Sequence, residues 1–163
     1  MARHVDCRRA SRMAILTTVK PQRGCILVVE DRDDVRQGLA QLLEFNGFMV
    51  EEARDGSAAL AHLEREGAET ALVVLDLTLP GALSGRDVRG RMLANPLHAD
   101  IPTIIVTASD IDAPGRAGLC PTAWLEKPFR FDQLLELVKH FVVPELSPPG
   151  QPADWPEDLG LKA

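Results

Sequence analysis

Hydrophobic residues in the middle of the chain follow two patterns that alternate. Short, nearly continuous apolar runs rich in β-branched residues are typical of buried strands, and they predict five strands, at 25–30, 48–53, 71–76, 102–107 and 122–126. Between the strands, apolar residues recur every three or four positions, as on one face of a helix. These repeated strand–helix units over residues 25–143 predict an α/β domain built on a parallel sheet.

The first predicted helix begins near Asp33 and ends at Asn46-Gly47, a pair that favours a helix stop. Its apolar residues predict one buried stripe, formed by Val35, Leu39, Leu42 and Leu43. Asp33 and Asp34 fall at the start of this helix, where carboxylates cap free N–H groups and interact favourably with the helix dipole. We therefore expect these two residues to have a structural role.

Three further helices are predicted, at about 57–67, 86–94 and 131–141. The segment 108–121 should hold one more crossover helix between two strands of the parallel sheet. However, it contains Pro114, Gly115 and Gly118, which are poor helix formers. We therefore expect a weak or irregular fourth helix in this segment.

The net charge of -6 is divided unevenly along the chain. Residues 1–24 hold six basic residues against one acidic residue, without the interleaved aromatic residues or helical stripe of a nucleic-acid-binding arm. Residues 144–163 are acidic and contain five prolines, a composition typical of extended chain. We therefore expect a basic, disordered leader, a central domain at 25–143 and a Pro-rich acidic tail.

The apolar runs of this sequence are all short. None approaches the ~20 residues that a membrane-spanning helix needs, and the N-terminal stretch 14–19 is too short for a signal-peptide core. We therefore expect a cytoplasmic protein without a membrane partner. The tail is too short for a helix-turn-helix or a catalytic unit, so we expect no direct binding to nucleic acid.

Polar residues stand where the predicted strands end. Glu30 and Asp31 follow the first strand, Asp76 ends the third, Thr107 ends the fourth and Lys127 follows the fifth. In an open parallel sheet, the carboxyl ends of the strands meet at the crevice where ligands bind. Clustered carboxylate oxygens are suitable ligands for a hard divalent cation. The sequence thus predicts a cation site with a neighbouring hydroxyl and ammonium group.

Four motifs together resemble the receiver domain of two-component response regulators, over roughly residues 25–143. They are, in chain order, "ILVVEDRDD", "LVVLDLTLPG", "IIVTAS" and "WLEKPF". The resemblance implies a flavodoxin-like (βα)5 fold, which is a doubly wound parallel sheet with strand order 2-1-3-4-5.

The resemblance also implies a function for the polar residues. Asp76 would accept a phosphoryl group from a histidine kinase or a histidine phosphotransfer protein. Thr107 would donate a hydrogen bond to the phosphoryl group and Lys127 would pair with it, with a cis bond between Lys127 and Pro128. Mg²⁺ would be held by Asp31, Asp76 and the backbone carbonyl of Thr78, with Glu30 acting directly or through water.

The output of such a receiver is less well defined by the sequence. Trp124 stands where the family usually has the Tyr or Phe that acts as a switch together with Thr107, and an indole is larger than either ring. With no effector domain predicted, we expect a stand-alone receiver that docks to an unknown protein target. The family also implies a possible homodimer through the face formed by segment 108–121, the last strand and the last helix.

Two alternative functions remain at this point. The first is a receiver-like module that has lost phosphorylation and serves as a constitutive docking domain, an alternative motivated by Trp124 and by the irregular segment 108–121. The second is a phosphohydrolase similar to haloacid dehalogenases, which also use an Asp nucleophile and Mg²⁺. That family requires a second carboxylate two positions after the nucleophile, where this chain has Thr78.

Overall fold

The structure is a computed structural model, and it describes residues 23–108 and 118–143. Strands and helices alternate along most of this region, with a short 3-10 helix at Gly67–Glu69. The strands are β1 (Cys25–Val29), β2 (Val50–Ala53), β3 (Thr70–Asp76), β4 (Thr103–Ala108) and β5 (Ala123–Lys127). The helices are α1 (Asp33–Phe45), α2 (Gly56–Glu66), α3 (Gly85–Ala94) and α4 (Phe131–Phe141).

The described strands form one parallel sheet in the order β2-β1-β3-β4-β5. The predicted α/β class, the flavodoxin-like topology and the strand order 2-1-3-4-5 are therefore confirmed. The observed strand boundaries differ from the predicted ones by one or two residues at most ends. Such small differences are expected, because hydrophobic pattern defines the centre of a strand better than its ends.

Helices cover both faces of the sheet, and successive residues of β1 show this directly. Ile26 and Val28 pack with α1 and α4 in one core cluster. Leu27 and Val29 pack with α2 and α3 in a second cluster on the opposite face. Because successive side chains of a strand point to opposite faces, a strand buried on both sides must be apolar at every position. This explains the unbroken apolar run of β1.

The structure corrects two details of the prediction for α1. Leu42 is 44% exposed, whereas Arg36 and Ala40 belong to the buried face together with Leu39 and Leu43. A rotation of about 100° per residue moves a neighbouring position off the core stripe. Arg32 is the N-cap residue and has no side-chain capping bond; Asp33 lies in the first turn and pairs with Arg36.

Several sequence predictions fall on residues outside the described ranges. The leader before residue 23 and the tail after residue 143 are among them, as is most of the segment predicted to hold the weak fourth helix, residues 109–117. Within the two described ranges, every helix is too short or too polar to cross a membrane.

Candidate functional site

Three carboxylates meet at the carboxyl edge of the sheet. Glu30 and Asp31 directly follow β1, and Asp76 ends the neighbouring strand β3. One carboxylate oxygen of each residue lies within 4.8 Å of the other two. Asp76 and Glu30 are buried, whereas Asp31 is half-buried. The cluster that the sequence predicted is therefore present in the fold.

Lys127 supplies a positive charge to this cluster. Its Nζ donates to Glu30 Oε2 at 2.8 Å and to Asp76 Oδ2 at 2.5 Å. Burial and the charge of Asp76 raise the pKa of Glu30 above its ordinary value, although the hydrogen bond from Lys127 acts in the opposite direction. Burial lowers the pKa of Lys127, but its hydrogen bonds to Asp76 and Glu30 outweigh this effect, so the net shift is upward.

Asp31 differs from the other two carboxylates in its contacts. Across residues 23–108 and 118–143, its carboxylate takes part in no side-chain hydrogen bond or ion pair. A half-buried carboxylate beside two others is a favourable ligand for a cation. Lys127 thus neutralises only the part of the cluster formed by Glu30 and Asp76.

The backbone after β3 holds Asp76 in place. The N–H of Thr78 donates to Asp76 Oδ1 at 2.7 Å, and the N–H of Leu77 donates to the carbonyl of Val106 at 3.2 Å. The start of α3 approaches this loop closely, because a Cβ atom added to Gly85 would lie 2.0 Å from the Asp76 carbonyl oxygen. Only glycine therefore fits at this position without a shift of the backbone.

Thr107 and Trp124 are the two residues predicted to act as a switch. Thr107 is fully buried at the end of β4, and its hydroxyl donates to the carbonyl of Ala108 at 3.2 Å. Trp124 is half-buried on the neighbouring strand β5. It packs against a small cluster formed by Leu77, Ile105 and Leu119. This cluster includes Leu77, the residue that directly follows Asp76.

A buried arginine holds the segment before β5 next to this cluster. Arg89 of α3 is 3% exposed and donates to the carbonyls of Leu119 (2.9 Å) and Cys120 (2.7 Å) and to the hydroxyl of Thr103 (3.0 Å). Burial lowers the pKa of Arg89 to about 10, so it remains charged at neutral pH. Arg89 thus ties α3 to Leu119, one of the residues on which Trp124 packs.

The sequence did not predict that Arg36 of α1 lies next to the site. This residue is 8% exposed, and its side chain donates to the backbone carbonyl of Glu30 at 3.0 Å. The signal was present in the sequence, since Arg36 stands three positions before Leu39 and seven before Leu43, on the buried face of the helix. The sequence does not reveal the partners of Arg36, and a charged residue is rarely fully buried unless it is paired.

The donor set fits a hard divalent cation. All three clustered side chains offer carboxylate oxygens, and the site contains no sulfur or imidazole ligand among the described residues. Mg²⁺ binds to one or two carboxylates and keeps several water molecules. Glu30, Asp31 and Asp76 are the residues that would hold such an ion.

Comparison with known protein families shows the family of this chain. Residues 26–139 match the family model described as the response regulator receiver domain. The chain belongs to this family. The receiver family is a signalling family, and the match favours it over the dehalogenase-like alternative.

Relatives with known names support the assignment. The sensory transduction protein RegX3 of Mycobacterium tuberculosis is 37% identical over 116 residues, which cover 70% of this chain and 48% of RegX3. The response regulator MprA of Mycolicibacterium vanbaalenii is 38% identical over 112 residues, or 68% of this chain and 46% of MprA. The receiver chain thus spans about half the length of the curated relatives it matches.

A solved structure agrees with the fold. The response regulator TrrA of Thermotoga maritima, determined in complex with Mg²⁺ and BeF, is 29% identical with a TM-score of 0.63. The similarity covers 73% of this receiver chain and 99% of TrrA. TrrA is therefore a relative whose receiver was crystallised with a bound magnesium ion.

Proposed function

We propose that this receiver accepts a phosphoryl group on Asp76 in a Mg²⁺-dependent reaction and signals by docking to a partner protein. The donor is a histidine kinase or a histidine phosphotransfer protein. The observation that carries the proposal is the approach of Lys127 Nζ to Asp76 Oδ2 (2.5 Å) within a cluster of three carboxylates. We further propose that the reaction takes place in the cytoplasm, since ATP is the source of the phosphohistidine.

The proposed reaction is a single phosphoryl transfer. A carboxylate oxygen of Asp76 forms a bond to phosphorus while the bond from phosphorus to the histidine nitrogen breaks, and the imidazole leaves with the bonding electron pair. Such transfers depend mainly on positioning and on neutralisation of charge. The hydrogen bond from the Thr78 N–H to Asp76 Oδ1 supports this role, because it restricts rotation of the attacking carboxylate.

Two further side chains act on the phosphoryl oxygens in this proposal. Lys127 neutralises one of them with its ammonium group, and Thr107 donates a hydrogen bond to another. The Thr107 hydroxyl currently donates to Ala108, so it must rotate about its side-chain bond to take this role. Bound Mg²⁺ would supply positive charge at the developing phosphoryl oxygens. Asp31, Asp76 and Glu30 would hold it, together with the backbone carbonyl of Thr78.

A groove next to Lys127 is the surface that we propose for the histidine-bearing partner. It has a volume of about 590 Å³ and lies between the start of α1 and the loop that precedes α4. Its walls are mainly apolar, and its residues include Val35, Leu39, Pro128, Phe129 and Phe131. Because the groove shares Lys127 with the acidic cluster, a helix docked there would have a side chain within reach of the phosphorylation site.

The intact mass of the full chain tests the proposed function. The wild-type protein is incubated with Mg²⁺ and acetyl phosphate, with Asp76→Asn and Asp34→Asn alongside. Asp34 is an exposed carboxylate in the first turn of α1, three positions after Asp31, and pairs with Arg32. We expect one added phosphoryl group on the wild type and on Asp34→Asn, and none on Asp76→Asn. Labelling of Asp76→Asn at the wild-type rate would refute the assignment of the phosphoacceptor.

The same experiment distinguishes the alternative of a constitutive docking module. If the wild type binds Mg²⁺ but gains no phosphoryl group from acetyl phosphate or from a kinase, that alternative becomes the better description. The half-buried position of Trp124 against Leu77, Ile105 and Leu119 is the observation that favours it, since a packed indole resists reorientation. Homodimerisation through the face that includes β5 stays a prediction, which size-exclusion chromatography with and without phosphodonor would test.

A further inference from the structure

Arg36 is a buried cation that contacts the backbone of the candidate metal site. Its guanidinium group donates to three oxygens: Nε to Glu52 Oε2 at 3.0 Å, Nη1 to the Glu30 carbonyl at 3.0 Å, and Nη2 to Asp33 Oδ1 at 2.5 Å. Glu52 lies on β2, whereas Asp33 belongs to the first turn of α1. One planar group therefore joins a strand, a helix and the loop between β1 and α1.

The contact with the Glu30 carbonyl matters because of where Glu30 lies. The N–H of Glu30 still donates to Ala53 of β2, at 3.1 Å, but Glu30 itself follows the last residue of β1. Its carbonyl accepts from Arg36 instead of continuing the sheet. The peptide unit that joins Glu30 to Asp31 is planar and contains both the Glu30 carbonyl and the Asp31 Cα atom. The direction of the Glu30 carbonyl therefore helps to fix where the Asp31 side chain begins.

The charge of Arg36 is balanced locally. The hydrogen bond from Arg36 to Asp33 raises the pKa of the guanidinium group, and Glu52 acts in the same direction, so Arg36 stays charged. A positive charge near a cation site would by itself weaken binding of the cation. Any gain in Mg²⁺ affinity from Arg36 must therefore come from the way it positions the loop. The two effects are opposed: positioning raises the affinity and the positive charge lowers it.

We propose that Arg36 is a positioning residue for the divalent cation. It holds the Glu30–Asp31 peptide so that the carboxylate of Asp31 faces Asp76 and Glu30 before the ion arrives. This inference rests on the proposed function, because it requires that the acidic cluster binds Mg²⁺. Arg36 contacts neither the ion nor the phosphoryl group. Preorganisation of this kind increases affinity because less ordering remains to be done when the ligand binds.

The test measures Mg²⁺ affinity by isothermal titration calorimetry of the full chain. Arg36→Met removes the guanidinium group and leaves Glu52 and Asp33 as unbalanced negative charges. If Arg36 acts by positioning, we expect the Mg²⁺ dissociation constant to rise about tenfold, as is typical when a residue that orients metal ligands is lost. If only the charge of Arg36 mattered, the dissociation constant would fall. A dissociation constant equal to or below that of the wild type would overturn the proposal.

Arg32→Met is the matched control. Arg32 belongs to the same loop and its side chain is 64% exposed, with Asp34 as its ion-pair partner. This variant removes the same charge without touching the Glu30 carbonyl, so we expect a dissociation constant equal to or slightly below that of the wild type. A tenfold rise in Arg32→Met as well would show that the loss of affinity does not depend on the contact with the Glu30 carbonyl, and it would overturn the proposal.

Stability is measured on the same samples, by urea unfolding with EDTA present. A purely structural role for Arg36 would lower the free energy of unfolding but leave the Mg²⁺ affinity of the folded state unchanged, and this result would overturn the proposal. If Arg36→Met does not fold, Arg36→Lys carries the same test, because one ammonium group keeps the charge but cannot reach all three oxygens. Failure of the wild type to bind Mg²⁺ would instead refute the cation site of the proposed function.

Discussion

Lys127 reaches Asp76 across an intervening strand. Its Nζ lies 2.5 Å from Asp76 Oδ2, although β4 separates β5 from β3 in the sheet. Neighbouring strands are about 4.8 Å apart, so the side chain bridges a gap of about 10 Å between the two strand ends. The same ammonium also reaches Glu30 at 2.8 Å. It therefore neutralises two buried carboxylates whose mutual repulsion would otherwise destabilise the fold.

Replacement of Lys127 should destabilise the protein most when Mg²⁺ is absent. We expect Lys127→Met to lower the free energy of unfolding in EDTA by about 2 kcal/mol, because two buried carboxylates lose a charged hydrogen-bond donor. Mg²⁺ should then bind at least as tightly as it does to the wild type, since a competing cation is gone. Urea unfolding and calorimetry measure the two effects. Lys139→Met, which removes an exposed charge from α4, is the control. A loss of Mg²⁺ affinity in Lys127→Met would contradict this account.

Replacement of Asp31 should have the opposite effect on stability. The carboxylate of Asp31 lies within 4.8 Å of those of Glu30 and Asp76, so Asp31→Asn removes like-charge repulsion. We expect the free energy of unfolding in EDTA to rise by about 1 kcal/mol, and the Mg²⁺ dissociation constant to rise at least about tenfold.

Asp34→Asn is the control for Asp31→Asn, because it removes a nearby charge, in the first turn of α1, that pairs with Arg32. Its stability should change much less than that of Asp31→Asn, because an exposed ion pair contributes little to stability. Lower stability of Asp31→Asn in EDTA would show that the repulsion is already compensated in the metal-free protein.

Two glycines of α3 give a matched test of the loop that carries Asp76. A Cβ atom at Gly85 would meet the Asp76 carbonyl oxygen at 2.0 Å and Leu77 Cα at 2.7 Å, whereas a Cβ at Gly90 would meet nothing within 4 Å. We expect Gly85→Ala to destabilise the protein by about 3 kcal/mol and Gly90→Ala to stabilise it by about 0.5–1 kcal/mol. Thermal unfolding measures both. Equal effects of the two substitutions would mean that α3 can move away from Asp76 at little cost.

The fluorescence of Trp124 should report activation of the receiver. Trp155→Phe removes the other tryptophan of the chain and leaves Trp124 as the single indole. Because Trp124 packs against the cluster that includes Leu77, the residue after Asp76, we expect its emission to change when Mg²⁺ and beryllofluoride are added. In Thr107→Val, which lacks the hydroxyl proposed to contact the phosphoryl group, we expect no change. If the emission of the Trp155→Phe protein with Thr107 unchanged stays constant, this result would instead favour the constitutive docking module.

Some features of the site follow from local sequence and others do not. Glu30, Asp31, Asp76 and Lys127 were predicted to meet because parallel strands bring their carboxyl ends to one edge of the sheet. The burial of Arg36 and the exposure of Leu42 were not predicted. The partners of Arg36 include Glu52, which is 16 positions away, and a hydrophobic pattern contains no information on such pairs. The role of Arg89 was missed for the same reason, since its carbonyl partners are 30 and 31 positions away.

The wide separation of Lys127 from Glu30 along the chain has a consequence for synthesis. The two residues are 97 positions apart, and β5 is the last strand of the sheet to leave the ribosome. A nascent chain that has completed β3 already carries all three acids but lacks the ammonium that neutralises two of them. During that interval, a divalent cation bound as proposed above would be a counter-ion for the three acids. Magnesium would then assist the assembly of the sheet before it serves any signal.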